Sequence, residues 1–287
     1  MKMPDITGDL LARARNGELL ALETLLVSIQ PPVFNLALRM LGNREDAQDA
    51  TQEALLKITT HLGGFRGESS FGTWAYRVTS NYLLTARTRS QESPETSLEA
   101  LQEKLGAGMD LVESHGGAVA LTPEDKLTAR RIALSCTQSM LMALDRELRI
   151  AYLLDVVFGL SSEVAADVLA ISADAYRKRL SRARQRLDYF MGGACGLVSG
   201  EARCRCGQQV RALELAARAG APPSKTIRLH VHNDELQQAE REFGDLVRMS
   251  DAAAVFRAHP NYRAPQQLIA AIRTVLTAYQ NRPEYPV

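Results

Sequence analysis

The sequence predicts an all-α protein: two small helical domains joined by a flexible linker, plus a mostly helical C-terminal extension. Three observations predict it. Apolar residues recur at helical spacing along most of the 287 residues, and strand-like alternation is nearly absent. Hydrophobic residues make up 46% of the chain, enough to fill real cores. A polar, acidic, Gly-containing stretch over 91–122 separates helical segments at 1–90 and 123–191, and a third segment, 192–287, opens at Gly192-Gly193.

In the first segment, apolar clusters near 10–14, 19–29, 33–41, 47–58 and 71–84 predict five helices. The breaks are placed at Asn16-Gly17, Pro31-Pro32, Gly42-Asn43 and Gly63-Gly64. Asn43 caps the helix that follows it, and Glu45 and Asp46 suit the positive end of its dipole. Asp49 and Glu53 extend an acidic, solvated edge. On the helix from about Ser70 to Arg89, Phe71, Trp74, Ala75, Val78 and Tyr82 form one stripe, read as core. Tyr76, Arg77, Ser80 and Arg87 lie on the other face, with Asn81 at its margin. Such a face can take single-stranded DNA, where bases stack on rings and phosphates meet cations. An amphipathic surface helix is the plainer alternative.

The linker holds a short helix at 97–105. Residues 90–125 carry eight acids and one lysine, although the whole chain nets only +1. Charge is therefore segregated rather than spread, and local patches steer nucleic acid.

The third helical stretch ends in a helix-turn-helix signature. Ser161 and Ser172 stand where N-caps are wanted. Tyr176, Leu180, Ala183 and Leu187 recur at i, i+4, i+7 and i+11 and line one buried stripe. Asp174, Arg177, Lys178, Ser181 and Arg182 are left facing outward. Six cations fall between Arg177 and Arg186 with no acid among them. A helix of this kind fits the DNA major groove, its first residues at base edges and later cations at phosphates. A solvated basic face is the alternative. Ala170 lies in the turn, where a left-handed backbone favours glycine.

Taken in order, the stretch Gly42–Lys57, the loop Phe65-Arg66-Gly67-Glu68-Ser69-Ser70 and the run Phe71–Asn81 resemble region 2 of bacterial sigma factors, closest to the extracytoplasmic-function (ECF) class. Residues 144–187 resemble region 4 of the same class. The resemblance covers about 190 residues. It implies a transcription initiation factor, not an enzyme, that requires no cofactor. Asp46, Asp49, Gln52 and Glu53 would meet the β′ clamp helices of core RNA polymerase. The loop from about His61 to Ser70, including Phe65 and Arg66, would hold a flipped-out base of the −10 element, with Tyr76, Arg77, Ser80, Asn81 and Arg87 along the strand. Ser172, Asp174, Arg177, Lys178, Ser181, Arg182 and Arg184 would read or flank the −35 element, and region 4 would dock on the β flap. Promoter DNA, core polymerase and an anti-sigma factor are the implied partners. One departure stands out: the run Leu83–Arg89 is less basic than the family pattern. A helix-turn-helix regulator or interaction module acting without core polymerase is the rival reading.

The extension carries Cys195, Cys204 and Cys206. A Cys-x-Cys pair with a third thiol can hold Zn²⁺ or another thiophilic metal, with His230 or His232 as further ligands. Arg203 and Arg205 are expected to favour thiolates. Free or buried thiols in a structured turn are the alternative, and Cys136 reads as core. Further on, Leu236, Ala239, Phe243, Leu246 and Val247 form one amphipathic stripe, and Leu268, Ile269, Ile272, Val275 and Leu276 another. His259-Pro260-Asn261-Tyr262 reads as a structured turn. No secretory signal and no apolar run near 18 residues is evident, so a cytoplasmic protein with no membrane partner is expected.

Overall fold

A computed structural model describes residues 2–85, 97–118, 120–221, 235–237, 249–265, 268–270 and 272–274. Its helices are α1 (Gly8–Arg15), α2 (Leu19–Leu41), α3 (Arg44–His61), α4 (Phe71–Thr85), α5 (Leu98–Ser114), α6 (Pro123–Met142), α7 (Arg146–Tyr152), α8 (Ser162–Val168), α9 (Ala173–Ala194), α10 (Cys206–Arg218) and α11 (Ala252–Arg257). A 3₁₀ turn follows α3 at Leu62–Gly64, and a π-turn at Leu153–Val157 follows α7. Among the described residues there is no strand, only a bridge between the backbones of Cys195 and Cys204.

Local chemistry sets the helix starts. Asn43 Oδ1 accepts from the N–H of Glu45 and of Asp46, at 2.8 and 3.1 Å. Thr122 and Asp125 form a reciprocal capping box around Pro123, which fits the first turn because its missing N–H is not needed there. Asp145, Ser161, Ser172 and Asp251 each cap by accepting a backbone N–H three residues on.

The expected break at Pro31-Pro32 does not occur. One helix, α2, runs through both prolines for 23 residues. The prolines remove two backbone donors. The Asn35 side-chain amide donates to the Pro31 carbonyl at 3.0 Å. Pro32, Val33 and Phe34 are buried, so tertiary packing outweighs local propensity. By length and composition α2 could cross a membrane, contrary to the expectation that no apolar run comes close. It is mostly buried and packs on α3, α1, α6 and α4 as a core helix. The expected linker helix at 97–105 extends to Ser114. Gly108 lies inside it, where a Cβ would stand 2.8 Å from Gln209 Oε1 and 3.3 Å from Ala212 Cβ of α10. Gly192-Gly193 also lies inside a helix, since α9 continues to Ala194.

One core cluster runs through all three parts. It joins Phe34 and Leu83 to Leu148, Tyr152 and Tyr176, and these to Cys195, Phe256 and Tyr262. A second cluster lies under α1 to α4 and includes Leu25, Ile29, Leu55, Phe65 and Phe71.

Candidate nucleic-acid interface

The helix-turn-helix is α8 and α9. Tyr176, Leu180, Ala183 and Leu187 are all buried, as their spacing requires. Tyr176 also donates its hydroxyl to the Ala151 carbonyl at 2.8 Å, pinning α9 to α7. Between the helices Ala170 has φ +53°, the one non-glycine residue with positive φ among those described. The turn is left-handed at Ala170 although glycine would suit it better, and alanine carries its strain.

Burying that stripe leaves Ser172, Asp174, Arg177, Lys178, Ser181, Arg182 and Arg184 exposed along one side of α9. Their charges are not equally available. Lys178 Nζ lies 2.8 Å from Asp174 Oδ2, and this contact holds the Asp174 carboxyl below its ordinary range. Arg184 pairs with Asp155 at 2.5 Å and Arg179 with Glu147 at 2.9 Å. Arg177 and Arg182 have no ion-pair partner among the described residues. The cations free to meet DNA thus flank the start and middle of α9.

On α3, Asp49 and Glu53 are exposed, Gln52 is half-buried, and Asp46 is buried at the helix start beside its cap. The loop after α3 is organised by aromatic contacts. Phe65 packs edge-on to Phe71, 5.8 Å between centroids, and 5.5 Å from Trp74. Phe65 is therefore a buried floor, while Arg66 stands out in solvent. A groove of about 510 Å³ lies between this loop, the arm Lys2–Ile6 and the start of α8.

Helix α4 is covered on both sides, which its amphipathic reading did not foresee. Phe71 and Ala75 enter one core, while Tyr76 and Leu83 enter the other. Tyr76 meets Phe158 edge-on at 5.6 Å. Ser80 is fully buried and Asn81 exposed. The Tyr76 hydroxyl lies against the Met3 backbone, and Ser80 Oγ has no hydrogen-bond partner among the described residues. Arg77 donates to the Asp167 carbonyl at 3.1 Å and to its carboxylate at 2.5 Å. Arg146 reaches the Leu83 and Leu84 carbonyls at 3.4 and 3.3 Å. Arg87 lies outside the described residues.

The extension contributes a clasp. Asn35 donates to the Tyr262 carbonyl at 2.7 Å and accepts the Tyr262 N–H at 2.9 Å. Arg39 donates to the Pro260 carbonyl at 3.1 Å, and its guanidinium lies 5.0 Å from the Tyr262 ring centre. On the other side His259 Nε2 meets Thr137 Oγ1 of α6 at 2.5 Å. Thr137 gives its own proton to the Ala133 carbonyl, so Nε2 carries the ring proton and Nδ1 accepts from the Tyr262 hydroxyl at 3.1 Å. Burial, with Arg39 nearby, pushes His259 down to about 3. Sequence reasoning saw a turn here but not that it bridges α2 and α6, because nothing local signals a partner more than a hundred residues away.

Family models agree with this architecture. The description "Sigma-70 region 2" matches residues 25–92, and "Sigma-70, region 4" matches residues 134–187. The chain is 30% identical over 183 residues to an RNA polymerase sigma-H factor of Pseudomonas aeruginosa, spanning 62% of this chain and 90% of that one. It belongs to the RNA polymerase sigma factors of the ECF class. An ECF RNA polymerase sigma-E factor of Escherichia coli K12 is also 30% identical, over 62% of this chain and 91% of its own. Among solved structures, the chain is similar to the sigma factor RpoE in complex with the anti-sigma factor NepR from Bartonella quintana. That match has 20% identity and a TM-score of 0.36, and covers 62% of this chain and 97% of the other. In sigma terms, α2–α4 belong to region 2, and α7–α9, with the C-terminal part of α6, to region 4. The relatives leave more than a third of this sigma factor unmatched.

The extension's thiols require one correction. Arg205 does draw the Cys195, Cys204 and Cys206 thiols toward the thiolate, but burial outweighs it, and Arg203 is engaged elsewhere. Arg203 pairs with Asp110 and Glu113 at 2.8 and 3.0 Å, and Arg205 donates to the carbonyls of Gly200 and Ala202. Burial pushes the Cys136, Cys195, Cys204 and Cys206 thiols up. All four are free cysteines. As they stand, no group of three or more Cys, His, Asp or Glu side chains among the described residues is set to hold a metal ion. His230 and His232 lie outside those residues, as do Ala239, Phe243, Leu246, Val247, Val275 and Leu276 of the two C-terminal stripes.

Proposed function

We propose that this sigma factor binds core RNA polymerase, directs it to promoters with −35 and −10 elements, and opens the −10 element. The observation that carries the reading is the exposed side of α9. Its apolar stripe is spent on the core, while Arg177, Lys178, Ser181 and Arg182 remain outward at the spacing of a recognition helix. Ser172, Asp174 and Arg184 flank them. Asp49, Gln52 and Glu53, with Asp46 at the helix start, offer an acidic face to the polymerase β′ clamp. Phe65, Arg66, Arg77 and Asn81 serve the −10 strand. The factor works in the cytosol, where its polymerase is.

The arrangement described here is a closed, free form. Promoter elements about 25 base pairs apart are separated by ~80 Å at ~3.4 Å per pair. A compact chain of 287 residues is only about 50 Å across. Regions 2 and 4 must therefore part before both elements are read. The burial of Tyr76 favours this reading: its ring lies edge-on to Phe158 of region 4 when closed and is freed on opening. The extension opposes opening, since its turn at His259–Tyr262 holds α2 and α6 at once. It regulates the factor in cis by holding the closed form.

Two measurements test the proposal together. Gel filtration with core polymerase checks association, and permanganate reactivity of thymines checks strand opening. Association with opening supports it. Opening that persists unchanged in Arg177→Ala on every promoter would remove α9 from recognition.

A further inference from the structure

The chain has four cysteines, and all four reach the wall of one cavity. Cys136 comes from the middle of α6, Cys195 from the end of α9, Cys204 from the turn that follows, and Cys206 from the start of α10. Cysteines used only as small core residues have no reason to gather from such separate positions.

The cavity measures about 20 Å³. That is room for roughly one water, or one ion. Its other walls are mainly hydrocarbon, including Leu105, Ile132, Met140 and Leu197. The two polar neighbours are already engaged. Gln209 gives its amide to the Leu105 carbonyl at 3.0 Å and to Cys204 Sγ at 3.5 Å, and Thr137 is held by Ala133 and His259. A water there would lack the two to four polar partners that hold one in place. Soft sulfur suits a different occupant.

Donors already point at the sulfurs. The backbone N–H groups of Leu197 and Val198 face Cys195, Gln209 faces Cys204, and Cys206 sits at the start of a 13-residue helix with its own N–H toward the thiol. Such donors and a helix N-terminus stabilise sulfur that carries negative charge. The backbone is set for this turn as well. The Gly196 N–H donates to the Cys204 carbonyl at 3.1 Å, and any Cβ at Gly196 would stand 2.4 Å from that oxygen.

We propose that Cys136, Cys195, Cys204 and Cys206 form a single buried site for a thiophilic d¹⁰ cation, Zn²⁺ or Cu⁺, loaded when the four side chains turn into the cavity they share. The sequence suggested three of these thiols. The fourth, Cys136, changes what the site does. It lies within the region 4 match, so the cation ties the extension to the domain that carries the −35 reader. Loading releases the thiol protons to solvent and replaces them with the cation, with no oxidant required. The inference does not depend on promoter recognition.

The full-length chain tests it, stripped with a chelator under reductant and titrated with Zn²⁺, and separately with Cu⁺, against a chromophoric competitor. One ion per chain is expected, with all four thiols protected together from alkylation. Cys136→Ser should weaken binding by more than about tenfold. Cys204→Ser, on a surface turn and less apt to disturb folding, should do the same, with circular dichroism checking both variants. Preference for one ion over the other identifies the cation. Near-zero stoichiometry, a Cys136→Ser variant that binds like the parent, or a mass loss of two hydrogens marking a disulfide would each overturn the proposal.

Discussion

The Arg77 guanidinium on α4 grips Asp167 on α8 twice, at its backbone carbonyl and at its carboxylate. A residue assigned to the −10 strand is thus spent on the first helix of the −35 reader. The pair is 35% and 49% exposed, so its own contribution stays under about 1 kcal/mol. Asp167→Asn should shift the closed–open balance by no more than about fivefold. Hydrogen exchange of α4 amides should quicken by that order, with α2 unchanged. Unaltered exchange in α4 would mean the pair does not gate opening.

His259 makes the clasp sensitive to acid. In the folded chain burial holds it neutral down to about pH 3, while unfolded histidine titrates near 6.5. Below pH 6.5 the unfolded state takes up a proton that the folded state refuses. Stability should therefore fall as pH drops from 6.5 toward 3, by up to about 1.4 kcal/mol per pH unit from this group. Above 6.5 the group adds no pH dependence. Urea unfolding across this range checks it, and His259→Asn should flatten the acid limb. An equal slope in that variant would assign the loss to other groups.

Ala170 carries left-handed strain of about 1–2 kcal/mol, partly offset in any exchange by the greater unfolded freedom of glycine. Ala170→Gly should raise Tm by about 1–3 °C, and Ala170→Val should lower it. A lower Tm for the glycine variant in thermal unfolding would refute the strain.

Much of this molecule is legible in its sequence because the signals are local. Ser161, Ser172 and Asn43 announce helix starts, and the spacing of Tyr176, Leu180, Ala183 and Leu187 announces which side of α9 is buried. What stays hidden depends on distant partners. The prolines of α2 signal a break, but burial against α3 and α6 keeps the helix whole. Tyr76 looks like part of a polar face of α4 until Phe158 of region 4 packs on it. Cys136 reads as core until the ends of α9 and α10 bring three more thiols beside it.

At the −35 face, Arg177 and Lys178 should behave differently. Arg177 has no ion-pair partner among the described residues, whereas Lys178 is already paired with Asp174. Arg177→Ala should cost about 1–3 kcal/mol on the preferred −35 sequence if the side chain reaches a base edge. Lys178→Ala should weaken all sequences by a smaller, similar amount and reduce the salt dependence. Binding of a promoter library at two salt concentrations separates the two. Uniform loss for Arg177→Ala would reassign it to phosphate.

The central claim is that the chain confers promoter choice on RNA polymerase, and transcription of genomic fragments by core enzyme with and without the purified protein measures this directly. The account predicts new start sites that share a −35 and a −10 element and that fade when Arg177 is replaced by Ala. Core enzyme that neither associates with the protein nor gains any start site would contradict it.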